Sequence, residues 1–139
     1  MREARTPDEV EAALRLRHRV FVHEQGVAPA ADRDGRDGQA LHVVAMAGGD
    51  LVGTCRVIVD TDVGRLGRMA VEPELRGRGA GAALLEIAER FAGAAGATRM
   101  RLHAQLAARS LYARAGYATT GEPFLEEGIE HVTMEKLLA

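Results

Sequence analysis

The 139-residue sequence predicts an α/β (α+β) domain: a mixed, mostly antiparallel sheet with one central parallel strand pair, flanked by helices. Three observations predict it. Two β-branched runs, "LHVVAMA" and "LVGTCRVIVD", flank a Gly-Gly pair, which is the pattern of a hairpin. After a third run, "RLGRMAV", Leu84, Ile87, Ala88 and Phe91 fall at i, i+3, i+4, i+7, with Glu86, Glu89 and Arg90 on the far side of the helix. In "TRMRLHAQL", Met100, Leu102 and Ala104 then alternate with Arg99, Arg101, His103 and Gln105, as in a strand. Strand, helix and strand joined by one right-handed crossover make the 65–71 and 98–106 segments parallel neighbours.

Taken in order, Thr6, Pro7 and Glu9 form a helix start, with Thr6 as cap, Pro7 at the first helical position and Glu9 reaching back as in a capping box. Val10, Ala13, Leu14 and Phe21 line one side of a helix or broken helix running to about Val22. "PAADRDGRDGQA", from Pro29 to Ala40, reads as a hydrated loop and a candidate flap. The three strands 41–47, 51–60 and 65–71 make an antiparallel meander. A helix follows them and stops at Gly93 to Gly96. A short helix, "AARSLYARA", ends at Gly116, and "YATTG" and "IEHVTMEKL" supply the last two strands.

Length fits one domain, residues 1–139, large enough to bury about two thirds of the unfolded chain's surface. A net charge of −2 argues against binding a polyanion over a wide face, so no nucleic-acid partner is expected. The single cysteine, Cys55, excludes an intrachain disulfide and a thiolate zinc site and suits a reducing cytoplasm. Mid-strand, it reads as a small buried hydrophobe. The charged start "MREARTPDEV" has no signal core, and no stretch reaches the roughly 20 apolar residues that span a bilayer, so no membrane partner is expected. The five histidines show no paired metal spacing, and the 32–43 segment lacks the Gly and the Glu of a calcium loop, so no metal is expected.

The stretch "LRGRGAGAALL" opens the long helix without a Ser, Thr, Asp or Asn cap. A helix leaves its first four N–H groups unpaired, and with the dipole they favour an anion. Gly77, Gly79 and Gly81 let a ligand approach the backbone, and Arg76 and Arg78 add charge, so phosphate is the candidate. A P-loop is excluded, because Ala82 and Ala83 follow Gly81 where Lys and Ser/Thr are needed. A dinucleotide fingerprint fits poorly, because five residues separate strand from glycines and the later acid is missing.

The remaining pattern is Arg or Gln, two residues, Gly, one residue, Gly or Ala, met by Arg76, Gly79 and Gly81. On it, "LGRMAVEPELRGRGAGAALLEIA" resembles the acetyl-coenzyme A site of the GNAT N-acetyltransferases, and "SLYARAGY" resembles a later segment of that family. "RHRVFVHEQGV", "HVVA", "LHAQ" and "EEGIEHVTM" resemble its ElaA-like or YjcF-like branch. The resemblance implies the GNAT fold, in which the strand carrying Met69, Ala70 and Val71 splays from the strand carrying His103. Backbone groups of Met69, Ala70 and Val71 would bind the pantetheine arm, and the amides from Arg76 through Gly77, Arg78, Gly79 and Ala80 to Gly81 the pyrophosphate. The implied partners are acetyl-CoA, as acyl donor, and an amine acceptor on a small molecule or protein; the assembly allowed for is a homodimer.

Acetyl transfer to an amine needs a neutral nucleophile, a polarised thioester carbonyl and a proton for the departing thiolate. Tyr112 is the family-matched acid. The strand 65–71 carries no carboxylate where many relatives have a glutamate, which leaves His103 as first choice of base, since an imidazole titrates near neutral pH. Glu24, Gln25, Gln105 and His131 are expected at the acceptor pocket. Two alternatives stand beside this expectation: a CoA-binding module that has lost catalysis, and an enzyme like the acyl-homoserine-lactone synthases.

Overall fold

The computed structural model describes residues 1–138. Strands β1 (Arg2–Glu3), β2 (Leu41–Ala47), β3 (Asp50–Asp60), β4 (Val63–Val71), β5 (Arg99–Gln105), β6 (Ala118–Glu126) and β7 (Ile129–Leu137) form one sheet. Their spatial order is β1-β2-β3-β4-β5-β7-β6. Only β4 and β5 pair in parallel, as the crossover requires. The crossover helix α3 (Ala80–Ala94) packs Leu84, Leu85, Ala88 and Ala92 against Val43, Val57, Leu66 and Met100 of the sheet. The opposite face is covered by α1 (Pro7–Arg17) and the turn that follows it, where Leu16 of the helix and Val20 of the turn meet Ala70.

The start of α1 is built largely as its sequence indicates. Thr6 accepts a hydrogen bond from the Glu9 amide at 3.1 Å, but the Glu9 carboxylate reaches the amide of Arg5 and the Arg2 guanidinium, not the amide of Thr6. Beyond Arg17 the helix widens into a π-helical turn over His18–Glu24, closed by a bond from the Gln25 amide to the Val20 carbonyl. Such turns occur often at functional sites. This one extends the helix two residues past the expected end and carries Glu24 and Gln25 to the sheet.

Where α3 crosses β4, close approach depends on Gly64: a Cβ there would stand 2.7 Å from Met100 Sδ and 2.9 Å from Ala92 Cβ. Gly64→Ala is therefore expected to overpack this contact and lower stability by about 1–3 kcal/mol, read as a shift in urea midpoint.

The expected flap is not one. The 29–40 segment folds into α2 (Pro29–Asp32) and a 3₁₀ turn (Asp37–Gln39), and its acids are paired inward. Arg17, 1% exposed, donates to Asp32 Oδ1 at 3.1 Å and Asp37 Oδ1 at 2.7 Å. Arg56 grips Asp34 with two bonds of 2.8 and 2.6 Å. Arg68 donates to the carbonyls of Ala31 and Asp32. Three arginines from three different elements neutralise acids that, in sequence, look free for solvent.

Arg68 also marks the feature that opens the sheet. Its φ is +55°, and the β3–β4 register there shifts from Thr54↔Ala70 to Arg56↔Gly67, one extra residue on β4. This is a β-bulge, which bends the strand that carries it. β4 and β5 pair only from Val63↔Arg99 to Leu66↔Leu102, and beyond that point the strands part. The splay is thus a consequence of the bulge, held by the Arg68 anchors.

At the other end, β6 runs past the expected stop at Gly121 and reaches Glu126. Glu126 pairs with Ile129 across the two-residue turn Glu127–Gly128, whose φ values are +53° and +73°. Two successive positive φ values define a type I′ turn, and Gly128 makes its second position free of strain.

Candidate active site

One cleft of about 1200 Å³ runs through the splay, bordered by the glycine loop, the π-turn, the β6–β7 turn and α4 (Arg109–Arg114). Its donor end is the start of α3. Gly79 occupies the cap position with φ +84° and no side-chain cap, and Gly77 has φ +79°. A Cβ at either glycine would meet nothing within 4 Å, so the loop's backbone borders open space. Uncapped amides, a helix dipole and free volume fit a diphosphate. Gly81, by contrast, is packed, with Leu111 at 3.2 Å from its would-be Cβ.

Arg76, expected to add charge here, is turned aside. Its Nε donates to the Val71 carbonyl at 3.0 Å, and its two terminal nitrogens hold Glu24 at 2.7 and 2.8 Å. The Arg76 guanidinium keeps the Glu24 carboxyl below its ordinary range and hence ionised. Glu24 therefore ties the π-turn to the glycine loop. Gln25 and Gln105 form a second tie across the cleft, with a 2.9 Å bond from Gln105 Nε2 to Gln25 Oε1. Met69 and Val71 line the cleft along the splayed stretch of β4 with the buried Ala70, while Arg78 is exposed in the loop.

Tyr112 is buried on α4 and its hydroxyl meets Met69 Sδ at 3.8 Å, a weak acceptor. Its ring makes an edge contact with Tyr117. Burial pushes its pKa up to about 12, with the nearby Cys55 adding to the shift. The hydroxyl is thus a protonated group, loosely held, beside the splayed strand. Cys55 itself is buried, its thiol raised to about 12 by desolvation, so it is an inert hydrophobe as its position in "GTCRVIV" suggests.

His103 and His131 face each other across a residue that the sequence did not single out. Glu126 Oε1 lies 3.1 Å from His103 Nδ1, and its Oε2 lies 3.7 Å from His131 Nε2. A carboxylate can only accept, so Nδ1 of His103 donates in this contact, and in the neutral imidazole the lone pair is then on Nε2. His131 is buried, donates from Nδ1 to the Ile129 carbonyl at 2.7 Å and stacks on Phe124. Glu126, on β6, is thus a carboxylate beside the splay where β4 carries none. The alternation of Phe124 and Glu126 before Gly128 was the available signal; Pro123 concealed it, because proline interrupts a strand pattern. Among the described residues no group of three His, Cys, Asp or Glu side chains is placed to hold a metal ion, and no helix is long and apolar enough to cross a membrane.

A splayed parallel pair, an uncapped glycine loop opening a helix beside it, and a buried tyrosine at the gap define an acyl-CoA N-acyltransferase fold. The family model described as "Acetyltransferase (GNAT) domain" matches residues 3–138, and the chain belongs to this family of acyltransferases. It is 31% identical over 134 residues to the uncharacterized N-acetyltransferase YjcF of Bacillus subtilis, with 96% of each chain covered. The crystal structure of an acyl-CoA N-acyltransferase from Pseudomonas aeruginosa is 31% identical, with a TM-score of 0.83 over 95% of this chain and 92% of that one. Escherichia coli ElaA is 27% identical, with a TM-score of 0.85 over 94% and 92%. These likenesses agree with the ElaA/YjcF-like branch that the sequence resembles.

Proposed function

We propose that the protein transfers acetyl from acetyl-CoA to the amine of a small molecule or protein by direct attack in a ternary complex. The observation that carries this is the bare entrance of α3 at Gly79, opening beside a splay flanked by Tyr112 and by His103 with Glu126. The amides from Arg76 to Gly81 hold the pyrophosphate, and the β4 backbone from Met69 to Val71 holds the pantetheine arm. Acetyl-CoA, when bound, supplies an acyl carbon activated as a thioester. His103 Nε2 takes the proton that leaves the amine as the N–C bond forms, and Glu126 positions the imidazole and stabilises its charged form. Tyr112 gives its proton to the sulfur as the C–S bond breaks, leaving free coenzyme A and an N-acetylated product. Gln25, Gln105 and His131 shape the acceptor side, whereas Glu24, expected there from the sequence, is held by Arg76 and ties the π-turn to the glycine loop instead. The chain acts as one domain, in the cytoplasm, where the free thiol of Cys55 is at home.

Titration calorimetry with acetyl-CoA tests the donor site. Gly79→Asp introduces a carboxylate at the helix entrance, in a backbone conformation that Asp tolerates better than most residues. It is expected to weaken acetyl-CoA binding by about two orders of magnitude, through repulsion of the diphosphate and competition for the amides. Unchanged affinity would place the cosubstrate elsewhere.

A further inference from the structure

Past the reacting end, the cleft continues along the sheet face beside α1 and α2. Strand alternation puts Arg101 two residues before His103 on the same face, and Arg65 is the register partner of Arg101 on β4. Arg36 lines the same cleft. These guanidiniums outnumber their partners. Asp60 is shared by Arg36 at 3.4 Å and Arg65 at 3.0 Å, and Glu135 by Arg101 at 3.0 Å and Arg99 at 3.8 Å. Four arginines, of which Arg36, Arg65 and Arg101 line the cleft and Arg99 lies next to it on β5, share two carboxylates and leave two positive charges in excess, in a chain whose net charge is −2. The other acids lining that end, Asp32 and Asp34, are committed to Arg17, Arg56 and Arg68.

The reacting end has the opposite character. Two carboxylates line it, Glu126 and Glu127, and Glu126 stands between two imidazoles that are not fixed cations, so that end suits an ammonium and the far end an anion. Two residues of strand separate them, about 7 Å.

We propose that the acceptor is a small dipolar amine, its amine received at His103 and Glu126 and an anionic group, carboxylate or phosphate, held by Arg65 and Arg101. This rests on the transferase reading above. α-Amino acids, whose charges are one carbon apart, are too short to bridge the two ends. ω-Amino carboxylates such as ε-aminocaproate, the side-chain amine of free lysine and aminoalkyl phosphates of similar length fit. Diamines are disfavoured, because their second cation would meet the guanidiniums.

Thiol release from acetyl-CoA is measured with ε-aminocaproate, aminopentyl phosphate, hexylamine and cadaverine. The two anionic amines are expected to exceed hexylamine at least tenfold in kcat/KM, with cadaverine slowest, and the lower KM of the two identifies the anion as carboxylate or phosphate. Arg65→Gln and Arg101→Gln each lower the ratio of kcat/KM for ε-aminocaproate over hexylamine, through KM. The double variant Arg65→Glu/Arg101→Glu reverses the order in favour of cadaverine, a gain that misfolding does not produce. Hexylamine or cadaverine matching the anionic amines, or ratios unmoved by all three variants, overturns the proposal. Release with other amines but none of these four also overturns it and leaves the transferase standing, whereas release with no amine at all removes the transferase reading itself.

Discussion

Tyr112→Phe is expected to lower kcat by roughly 10²–10⁴-fold, the range of a positioned general acid, with the KM for acetyl-CoA little changed. The substitution removes one oxygen whose partner is Met69 Sδ at 3.8 Å, and a bond that weak contributes little to the fold. The loss is therefore read in the chemical step. Its pH dependence follows from burial, which holds the hydroxyl at about 12 against an ordinary value near 10. Tyr112 stays protonated while an acceptor amine loses its proton, so the rate rises with pH and its alkaline limb lies above the ordinary tyrosine range. The same shift has a stability sign. A raised pKa on a group that is neutral when protonated adds stability below the ordinary value, and that stability is lost as pH climbs through the raised one. Tyr117, also raised by burial and by the hydroxyl's bond to Glu89, acts in the same direction. Steady-state kinetics across pH check both limbs, and wild-type turnover in the phenylalanine variant would remove Tyr112 from the reaction.

Arg17→Leu is expected to cost about 3–5 kcal/mol, the largest stability effect of any single change considered, measured as a lower urea midpoint. Arg17 and Asp32 are each 1% exposed in their side chains, and Asp32 Oδ2 already has no partner, so removing the guanidinium leaves a buried carboxylate with only Arg68 Nε at 3.6 Å from Oδ1. Arg17→Leu/Asp32→Leu should recover much of the loss, because the cost lies in the unpaired charge more than in the absent bond. The neighbouring acids give the pH dependence. Asp34 is held below its usual range by its bond to Arg56. Burial pushes Asp37 up, but its bonds to Arg17 and Arg56 outweigh this and lower it. Depressed carboxylates stabilise the fold above their ordinary pKa and cease to do so as pH falls through the depressed values. Unfolding on acidification is thus expected to begin below about pH 4. In Arg56→Gln it should begin at higher pH. A single Arg17 variant with the wild-type midpoint would show that the network is dispensable.

Sequence alone determined the order of the main strands and helices, though not the short strand β1 or the helix α2, because period is written locally and needs several residues to show. Alternation at Met100, Leu102 and Ala104 marks β5, i, i+3, i+4 spacing at Leu84, Ile87 and Ala88 marks α3, and the missing cap before Ala80 marks the bare helix entrance proposed to take an anion. The parallel pairing of β4 and β5 followed from handedness. What escaped was whatever depends on partners distant in the chain. The acids at Asp32, Asp34 and Asp37 look solvated until Arg17, Arg56 and Arg68 arrive from α1, β3 and β4. Glu126 looks like one more surface glutamate until β6 lies beside β7 and β7 beside β5, which brings it to His103 and His131. Neither a charge nor a hydrogen-bond donor announces its partner in one dimension, whereas a hydrophobic period does announce its face. The sequence therefore marked the main elements of the scaffold and the uncapped helix entrance at which a phosphate is proposed. Tertiary structure alone decided which carboxylates are neutralised inside and which stand at the cleft, because that choice is made by arginines 15 or more positions away and, at Glu126, by an imidazole 23 positions away.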